Sequence, residues 1–424
     1  MENAIIKLNK HWLGKKYPDI INRDIILNLL DKIKLKEVQV LTGVRRAGKS
    51  SILKLIINNL LKFENPKSIF FINFDDPYFI KINQNPENIF SLIETAEKIT
   101  GIKIKYLFLD EIQQVYKWET FVKSAYDNEL FTKIFITGSN SNLLSGEYAY
   151  LLSGRYINDK IYPFSLAEVF KYKGFSDNLT LLNNKSAVLK LIDEAMQYGL
   201  FPQVFKTPGK YKRDILVSYY DTILIKDCLQ SKKIRDIKLL KYLAYYLISN
   251  TSTIYSYRSL AKAVGSNENT IREYLEILKN SFIIDEINNF SYSLKSGARP
   301  KNKNYCIDNG LIDAVSFKFS ENKGKLLENL VFNEYRKAGY SEIYFYNQDK
   351  ECDFILKKEN KLMAVQVAYE INEQNKAREI NALLEVKKKF NINNLKIITY
   401  NTDDYIDNIV IEPVWKTFST LQMQ

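Results

Sequence analysis

The sequence predicts an α/β protein whose N-terminal part is a doubly wound parallel sheet. Four predominantly apolar runs have the length of buried strands, at 37–41, 68–74, 106–109 and 133–137. Apolar residues recur at helical spacing after the first and third runs, and strands that alternate with helices form parallel sheets. A glycine-containing loop at 43–50 joins the first strand to the first of these helices.

That loop fits the pattern G-x-x-x-x-G-K-[ST], whose backbone N–H groups surround nucleotide phosphates at a helix N-terminus. We expect Lys49 to neutralise phosphate charge and the Ser50 hydroxyl to bind Mg²⁺. For Arg45 and Arg46, phosphate or partner contact competes with a surface ion pair. The residues expected to contact ATP are Gly43, Arg45, Arg46, Ala47, Gly48, Lys49, Ser50 and Ser51.

Two carboxylates end the third apolar run. Asp110 and Glu111 follow Tyr106–Leu109, and the carboxyl ends of parallel strands open onto the ligand crevice. Asp110 is expected to hold Mg²⁺, and Glu111 to act as the general base that polarises the attacking water. This pair predicts hydrolysis of the nucleotide rather than its storage.

Two later positions are weaker candidates. After the fourth run, Ser139 or Asn140 is expected to sense the terminal phosphate, although a polar turn without nucleotide contact explains the pattern equally well. Arg155 suits the charge of a phosphoryl transition state, while a surface salt bridge is the simpler interpretation. If Arg155 acts on a neighbouring subunit's nucleotide, the protein is a homo-oligomer.

Several segments resemble the AAA-type ATPases of archaea and bacteria that carry a C-terminal domain of unknown function. They are GVRRAGKS, INFDDPYF, LFLDEIQ, ITGSNSNLLS and LSGRY, followed by YGLFPQVF, DTILIKDC, CIDNGLI and GKLLENLVFNEY. The resemblance implies an AAA+/STAND-like ATPase module, a winged helix and a fold related to the PD-(D/E)XK nucleases. The expected domains are the ATPase at 1–165, a helical lid at 166–250, the winged helix at 251–305 and the nuclease-like domain at 306–424.

The expected winged helix contains a helix-turn-helix pattern at 259–278. The loop that follows is rich in cations, which suit nucleic-acid phosphates. Acidic residues on the second helix argue against reading of the DNA major groove, so backbone contact and a packing role both stay open. The loop cations are Lys295, Arg299, Lys301 and Lys303, and the acids are Glu268, Glu273 and Glu276.

In the last domain, Glu328 and Asp353 match two metal-binding acids of the nucleases that the resemblance implies. Gln366 and Ala368 stand where those enzymes have an acid and a lysine. An amide binds Mg²⁺ poorly compared with a carboxylate, and alanine cannot stabilise hydroxide. We therefore predict a degenerate nuclease site that keeps the fold but not the cleavage activity.

Composition limits the cellular setting. The 424 residues include no apolar run of the ~18 residues that span a bilayer, and the N-terminus lacks a signal-peptide core. Three scattered cysteines and one histidine make a disulfide framework or a histidine metal site improbable. We expect a cytoplasmic protein.

The net charge of +12 permits DNA binding, although abundant Lys, Asn, Ile and Tyr also reflect A/T-rich codons. Two functions follow. In the first, ATP hydrolysis drives action on DNA; in the second, ATP sets a regulatory switch that binds a protein partner.

Overall fold

Five parallel strands form the sheet of the N-terminal unit, in the order β2-β3-β4-β1-β5. The structure is a computed structural model that describes residues 1–140, 143, 147–229, 234–291, 301–316 and 323–420. Each central strand is buried along its whole length, which fits its predominantly apolar sequence. The strands are β1 (Val38–Thr42), β2 (Ile69–Asn73), β3 (Tyr106–Asp110), β4 (Lys133–Gly138) and β5 (Tyr156–Lys160).

Because all five strands are parallel, the loops that follow β1, β3 and β4 emerge at the same edge of the sheet. One face of the sheet carries an apolar core in which Ile72, Leu109 and Ile136 pack with Leu92 and Phe121. The helices of this unit are α1 (Glu2–Leu8), α2 (Ile25–Asp31), α3 (Lys49–Leu60), α4 (Asn88–Thr100), α5 (Trp118–Asp127) and α6 (Glu147–Leu152).

The chain divides into two compact units, Met1–Tyr162 and Pro163–Gln424. The second unit begins with the helices that the sequence assigned to a lid. They pack on helices that follow residue 308, and the Leu200 N–H donates to Asp308 Oδ2 at 2.7 Å. The helices are α7 (Leu166–Tyr172), α8 (Asn178–Asn183), α9 (Lys185–Tyr198), α10 (Pro202–Lys206) and α11 (Gly209–Thr222), which continues as a π-helix (Ile223–Cys228). A lid over the nucleotide stays a prediction.

The next segment has the element order expected of the winged helix, with its three strands in one antiparallel sheet ordered β6-β8-β7. Gly265, at a φ of 71°, makes the turn between the two short helices. The elements are α12 (Ile237–Ser249), β6 (Thr253–Tyr255), α13 (Tyr257–Val264), α14 (Glu268–Asn280), β7 (Ile284–Asn288) and β8 (Asn302–Cys306).

The C-terminal part of the second unit contains a six-stranded mixed sheet, ordered β13-β14-β12-β11-β10-β9. Strands β9, β10 and β11 form an antiparallel meander, and α17 crosses over to the parallel strand β12. The strands are β9 (Glu342–Asn347), β10 (Glu351–Lys358), β11 (Lys361–Ala368), β12 (Asn394–Thr399), β13 (Asp404–Ile406) and β14 (Ile409–Pro413). The helices are α15 (Asn309–Val315), α16 (Lys323–Lys337), α17 (Lys376–Phe390) and α18 (Val414–Thr420). Across the described residues, no helix is both long and apolar enough to span a membrane.

Candidate nucleotide site

The loop between β1 and α3 depends on glycine at two positions. Gly43 has a φ of 148°, and a β-carbon there would lie 2.1 Å from the carbonyl oxygen of Ile161. Gly48 has a φ of 100° immediately before α3 begins. Both conformations disfavour residues with a side chain, and the first also lets the loop pack on the end of β5. The backbone is therefore shaped as the sequence pattern predicted.

Lys49 is the first residue of α3 and is buried against the loop. Its Nζ donates hydrogen bonds to the carbonyls of Gly43 at 2.9 Å and Val44 at 3.2 Å. These bonds hold the ammonium group over the loop, beside the N-terminus of a 12-residue helix. Positive charge and helix dipole thus favour the same anion.

Arg23 joins the loop to the end of the sheet, and no sequence motif marks it. Its Nη1 donates to the carbonyl of Ala47 at 3.2 Å, and its Nη2 donates to the carbonyl of Tyr162 at 2.9 Å. The side chain is buried, so these bonds are sheltered from water. Arg23 therefore fixes the position of a loop peptide that the sequence assigned to ATP contact.

Asp110 is fully buried at the end of β3. Its Oδ1 accepts a 2.5 Å hydrogen bond from the Thr137 hydroxyl, whereas its buried Oδ2 has no hydrogen-bond partner within the described part of the chain. Burial and then the charge of Glu111 raise the pKa of Asp110 to about 6, against the lowering influence of Thr137, Ser50 and Lys49. An open carboxylate oxygen near a serine hydroxyl fits one coordination edge of Mg²⁺.

Glu111 adopts the left-handed conformation, with a φ of 53°. Its backbone N–H donates to the Thr137 hydroxyl at 3.0 Å, and Gln113 Nε2 donates to its Oε2. A strained backbone at the end of a strand is common where function fixes the geometry. Thr137 and Gln113 therefore hold the acidic pair. In the sequence, Thr137 is marked only as the polar residue that ends the fourth apolar run, and no pattern assigned it this role.

The loop also contacts the residues after β4. Arg45 Nη2 donates to the Ser139 hydroxyl at 3.1 Å, and both side chains are buried. Of the two sensor candidates, Ser139 is thus linked to the loop, while a sensing role for Asn140 stays a prediction. Arg46 is exposed with a φ of 73°, and Ser51 follows Ser50 on α3.

Arg155 lies away from this site. It precedes β5, whose first residue pairs with Val38 at the start of β1, and the Arg155 carbonyl accepts the Val38 N–H. Five residues of strand separate this end of the sheet from the loop, a distance of about 16 Å. Its guanidinium forms an ion pair with Asp127 at 2.8 Å. The surface ion pair that was the simpler interpretation of Arg155 is therefore present. This position does not favour contact with ATP bound to its own chain, and a role on a neighbouring subunit stays a prediction.

The expected nucleic-acid loop is described only in part. Lys295 and Arg299 lie outside the described residues. Lys301 is exposed, and its Nζ lies 2.9 Å from Asn347 Oδ1. The expectation that Lys303 contacts nucleic acid is wrong. Lys303 belongs to β8, is 1% exposed, and its ammonium group contacts carboxylates instead.

Glu328, Asp353 and Gln366, predicted to share a degenerate nuclease site, do lie together. The Asp353 N–H donates to Gln366 Oε1 at 3.1 Å, and Gln366 Nε2 donates to Glu379 Oε2 at 2.7 Å. Lys303 Nζ bridges Glu328 and Asp353. The sequence did not predict that Lys303 and Glu379 belong to this site. The described residues contain no group of three or more His, Cys, Asp or Glu side chains placed to hold a metal ion.

A family model agrees with the fold of the first unit. A model of an AAA domain matches residues 35–170, and models of two domains of unknown function (DUF8612 and DUF4143) match residues 189–322 and 323–416. Among solved structures, the Aeropyrum pernix ORC1 protein in complex with DNA gives a TM-score of 0.32 at 10% identity. That match covers 72% of this chain and 95% of the other.

Two curated relatives match most of the chain. An uncharacterized protein of Methanocaldococcus jannaschii is 37% identical over 422 residues, covering 95% of this chain and 91% of the relative. An uncharacterized protein of Haemophilus influenzae is 32% identical over 379 residues, covering 88% and 92%. The chain therefore belongs to the same family as these relatives, a family of P-loop ATPases in which an AAA domain precedes C-terminal domains of unknown function.

Proposed function

We propose that this protein hydrolyses ATP in a magnesium-dependent reaction. The observation that carries the proposal is the buried Asp110 carboxylate, in which Thr137 holds one oxygen and the other has no hydrogen-bond partner within the described residues. The Ser50 hydroxyl is close enough to lower the pKa of this carboxyl group. Asp110 and the Ser50 hydroxyl would hold Mg²⁺, which neutralises charge on the β- and γ-phosphates. Two protein oxygens suffice because Mg²⁺ retains waters and substrate phosphates as its other ligands.

Glu111 is the base in this mechanism. It follows Asp110 directly, and its backbone bond to Thr137 and side-chain bond to Gln113 fix its orientation. Its carboxylate accepts a proton from water as that water attacks the γ-phosphorus. Lys49 and the loop N–H groups stabilise the negative charge on the phosphate oxygens.

Two variants test this mechanism. Lys49→Ala is expected to weaken ATP binding, because the ammonium group contacts the phosphates in the ground state. Glu111→Gln should leave binding intact while slowing turnover about 10²- to 10⁴-fold, the usual contribution of a general base. Calorimetry with ATP and Mg²⁺ measures binding, and phosphate release measures turnover. Glu111→Gln hydrolysing ATP at the parental rate would refute the assignment of the base.

We propose that the protein couples ATP hydrolysis to action on DNA. The net charge of +12 and the exposed Lys301 support this proposal. A switch that binds a protein partner is the second candidate, and α14 favours it. Its Glu268 pairs with Arg272 at 2.6 Å, and its Glu276 pairs with Lys279 at 2.7 Å, so the cations of this helix are already neutralised. ATPase rates with duplex, forked and single-stranded DNA at low salt separate the two. A rate indifferent to every DNA would reject the first candidate.

A further inference from the structure

Lys303 is almost completely buried, with its ammonium group surrounded by acids. Its Nζ lies 2.7 Å from Glu328 Oε1, 2.9 Å from Glu351 Oε1 and 3.0 Å from Asp353 Oδ1. The three N–H bonds of an ammonium group are thereby matched to three carboxylates. Glu328 and Asp353 are themselves only about 10% exposed, so water screens these interactions little.

The acids of this cluster and Gln366 also have other hydrogen-bond partners. Asp353 Oδ2 accepts the Val367 N–H at 2.9 Å, and Glu328 Oε1 accepts the Tyr305 hydroxyl at 2.7 Å. Gln366 uses both ends of its amide, toward the Asp353 N–H and toward Glu379. Every side chain at which the nuclease resemblance would place Mg²⁺ therefore already has a protein partner.

A divalent ion does not fit beside Lys303. Mg²⁺ lies about 2.1 Å from its oxygen ligands, so an ion shared by Glu328 and Asp353 would overlap the space that Nζ occupies between the same oxygens. Its charge would also repel the buried ammonium at very short range. A metal ion between Glu328 Oε1 and Asp353 Oδ1 therefore requires Lys303 to leave.

We propose that Lys303 is a built-in cation that replaces a divalent metal ion in the carboxylate site of the C-terminal domain. The lysine comes from β8 in the winged-helix segment, whereas its partners come from α16 and β10. It therefore also fastens two parts of the second unit together. This role needs neither ATP nor DNA and is independent of the proposed function.

The site supports this role electrostatically. Burial lowers the pKa of Lys303, but the negative charges of Glu328, Asp353 and Glu351 outweigh burial and hold that pKa well above its usual value. Burial and the charge of Asp353 raise the pKa of Glu328 to about 8, against the opposing influence of Lys303 and Tyr305. Without Lys303, the acids would face one another with no compensating charge.

Binding of Mn²⁺ tests the proposal. It is measured by electron paramagnetic resonance on the full-length chain without nucleotide. All proteins carry Asp110→Asn, which removes the candidate metal ligand of the ATPase site. The parent protein is expected to bind no Mn²⁺ through Asp353. Lys303→Ala should gain one Mn²⁺ site, and adding Asp353→Asn should abolish it. Lys301→Ala, which removes an exposed lysine two residues away, should gain none.

Thermal unfolding gives a second measurement. Lys303→Ala should lower the unfolding midpoint by on the order of 10 °C, because uncompensated charges stay buried, and Mn²⁺ should restore part of the loss. If Lys303→Ala does not fold, Lys303→Ala with Glu351→Gln removes one of the opposing charges, keeps Glu328 and Asp353 as ligands, and is expected to recover folding. The proposal is overturned if the parent binds Mn²⁺ in an Asp353-dependent manner, or if neither Lys303 variant gains a site.

Discussion

The Thr137 hydroxyl connects Asp110 and Glu111, since it donates to Asp110 Oδ1 at 2.5 Å and accepts the Glu111 N–H at 3.0 Å. Thr137 lies on β4, next to the strand that ends in Asp110. The hydrogen bond holds one carboxylate oxygen and leaves the other for the candidate metal. One hydroxyl thus contacts both the proposed metal ligand and the proposed base.

Thr137→Val keeps the shape of the side chain and removes this hydroxyl. We expect ATP turnover to fall about 10- to 100-fold, with a higher Mg²⁺ requirement, because residues that orient metal ligands typically contribute this much. A magnesium titration of phosphate release measures both effects. Thr137→Ser is the matched control and should keep most of the activity. Parental turnover and Mg²⁺ dependence in the valine variant would show that Thr137 does not position the acids.

Arg23 offers a second prediction, on nucleotide binding. Arg23→Lys preserves the charge but loses the two guanidinium nitrogens that donate to the Ala47 and Tyr162 carbonyls, a pair that we call the fork. If the fork preorganises the loop, Arg23→Lys and Arg23→Ala should both weaken ATP binding, by about tenfold or 1.4 kcal/mol. Calorimetry with ATP and Mg²⁺ provides the comparison. Parental affinity in the lysine variant would mean that charge alone accounts for the contribution of Arg23.

The first unit was largely predictable because its signals are local. A strand, a glycine loop and a helix follow one another within 37–60, and the acids follow their strand directly. These patterns predicted the sheet and the residues of the loop. The helices after residue 162 were harder to assign, since helical spacing identifies a helix but not the domain on which it packs.

Lys303 illustrates what sequence patterns could not supply. Among loop cations it resembles a phosphate ligand, but its register in β8 directs it into the interior. Its partners Glu328 and Asp353 are 25 and 50 residues away along the chain and belong to other elements. A lone lysine carries no periodic signal that distinguishes a buried ion pair from an exposed charge. Thr137 and Arg23 escaped assignment for the same reason, because their partners lie on other strands and loops.

A third prediction concerns Arg155, which we expect to reach a nucleotide on a neighbouring subunit rather than on its own chain. Arg155→Ala should leave phosphate release unchanged in dilute, monomeric protein, because the residue lies at the far end of the sheet from the loop. If hydrolysis falls only at concentrations where the protein assembles, the arginine acts between subunits. Mixing with Glu111→Gln should then recover activity, since the partner provides Arg155. A slower rate in the confirmed monomer would contradict the geometry.

The last prediction concerns acid stability and uses the single histidine of the chain, His11. Its Nε2 lies 3.0 Å from the Ile69 carbonyl and its Nδ1 lies 3.0 Å from the Tyr17 hydroxyl. Burial lowers the pKa of His11 to about 4, against the raising influence of the Ile69 carbonyl. The unfolded chain therefore binds the proton first as the pH falls.

The sign follows from this difference in pKa. The free energy of unfolding should be unaffected by His11 above about pH 6.5 and should decrease as the pH falls from about 6.5 to about 4, by at most about 3 kcal/mol. His11→Gln retains a donor near the Ile69 carbonyl and cannot titrate, so its stability should depend less on pH in this window. Urea unfolding followed by tryptophan fluorescence between pH 4 and pH 8 compares the two proteins, because Trp12 and Trp118 report on the N-terminal unit. Equal pH dependence in both proteins would show that proton uptake by other groups governs acid unfolding, since His11 is the only difference between them.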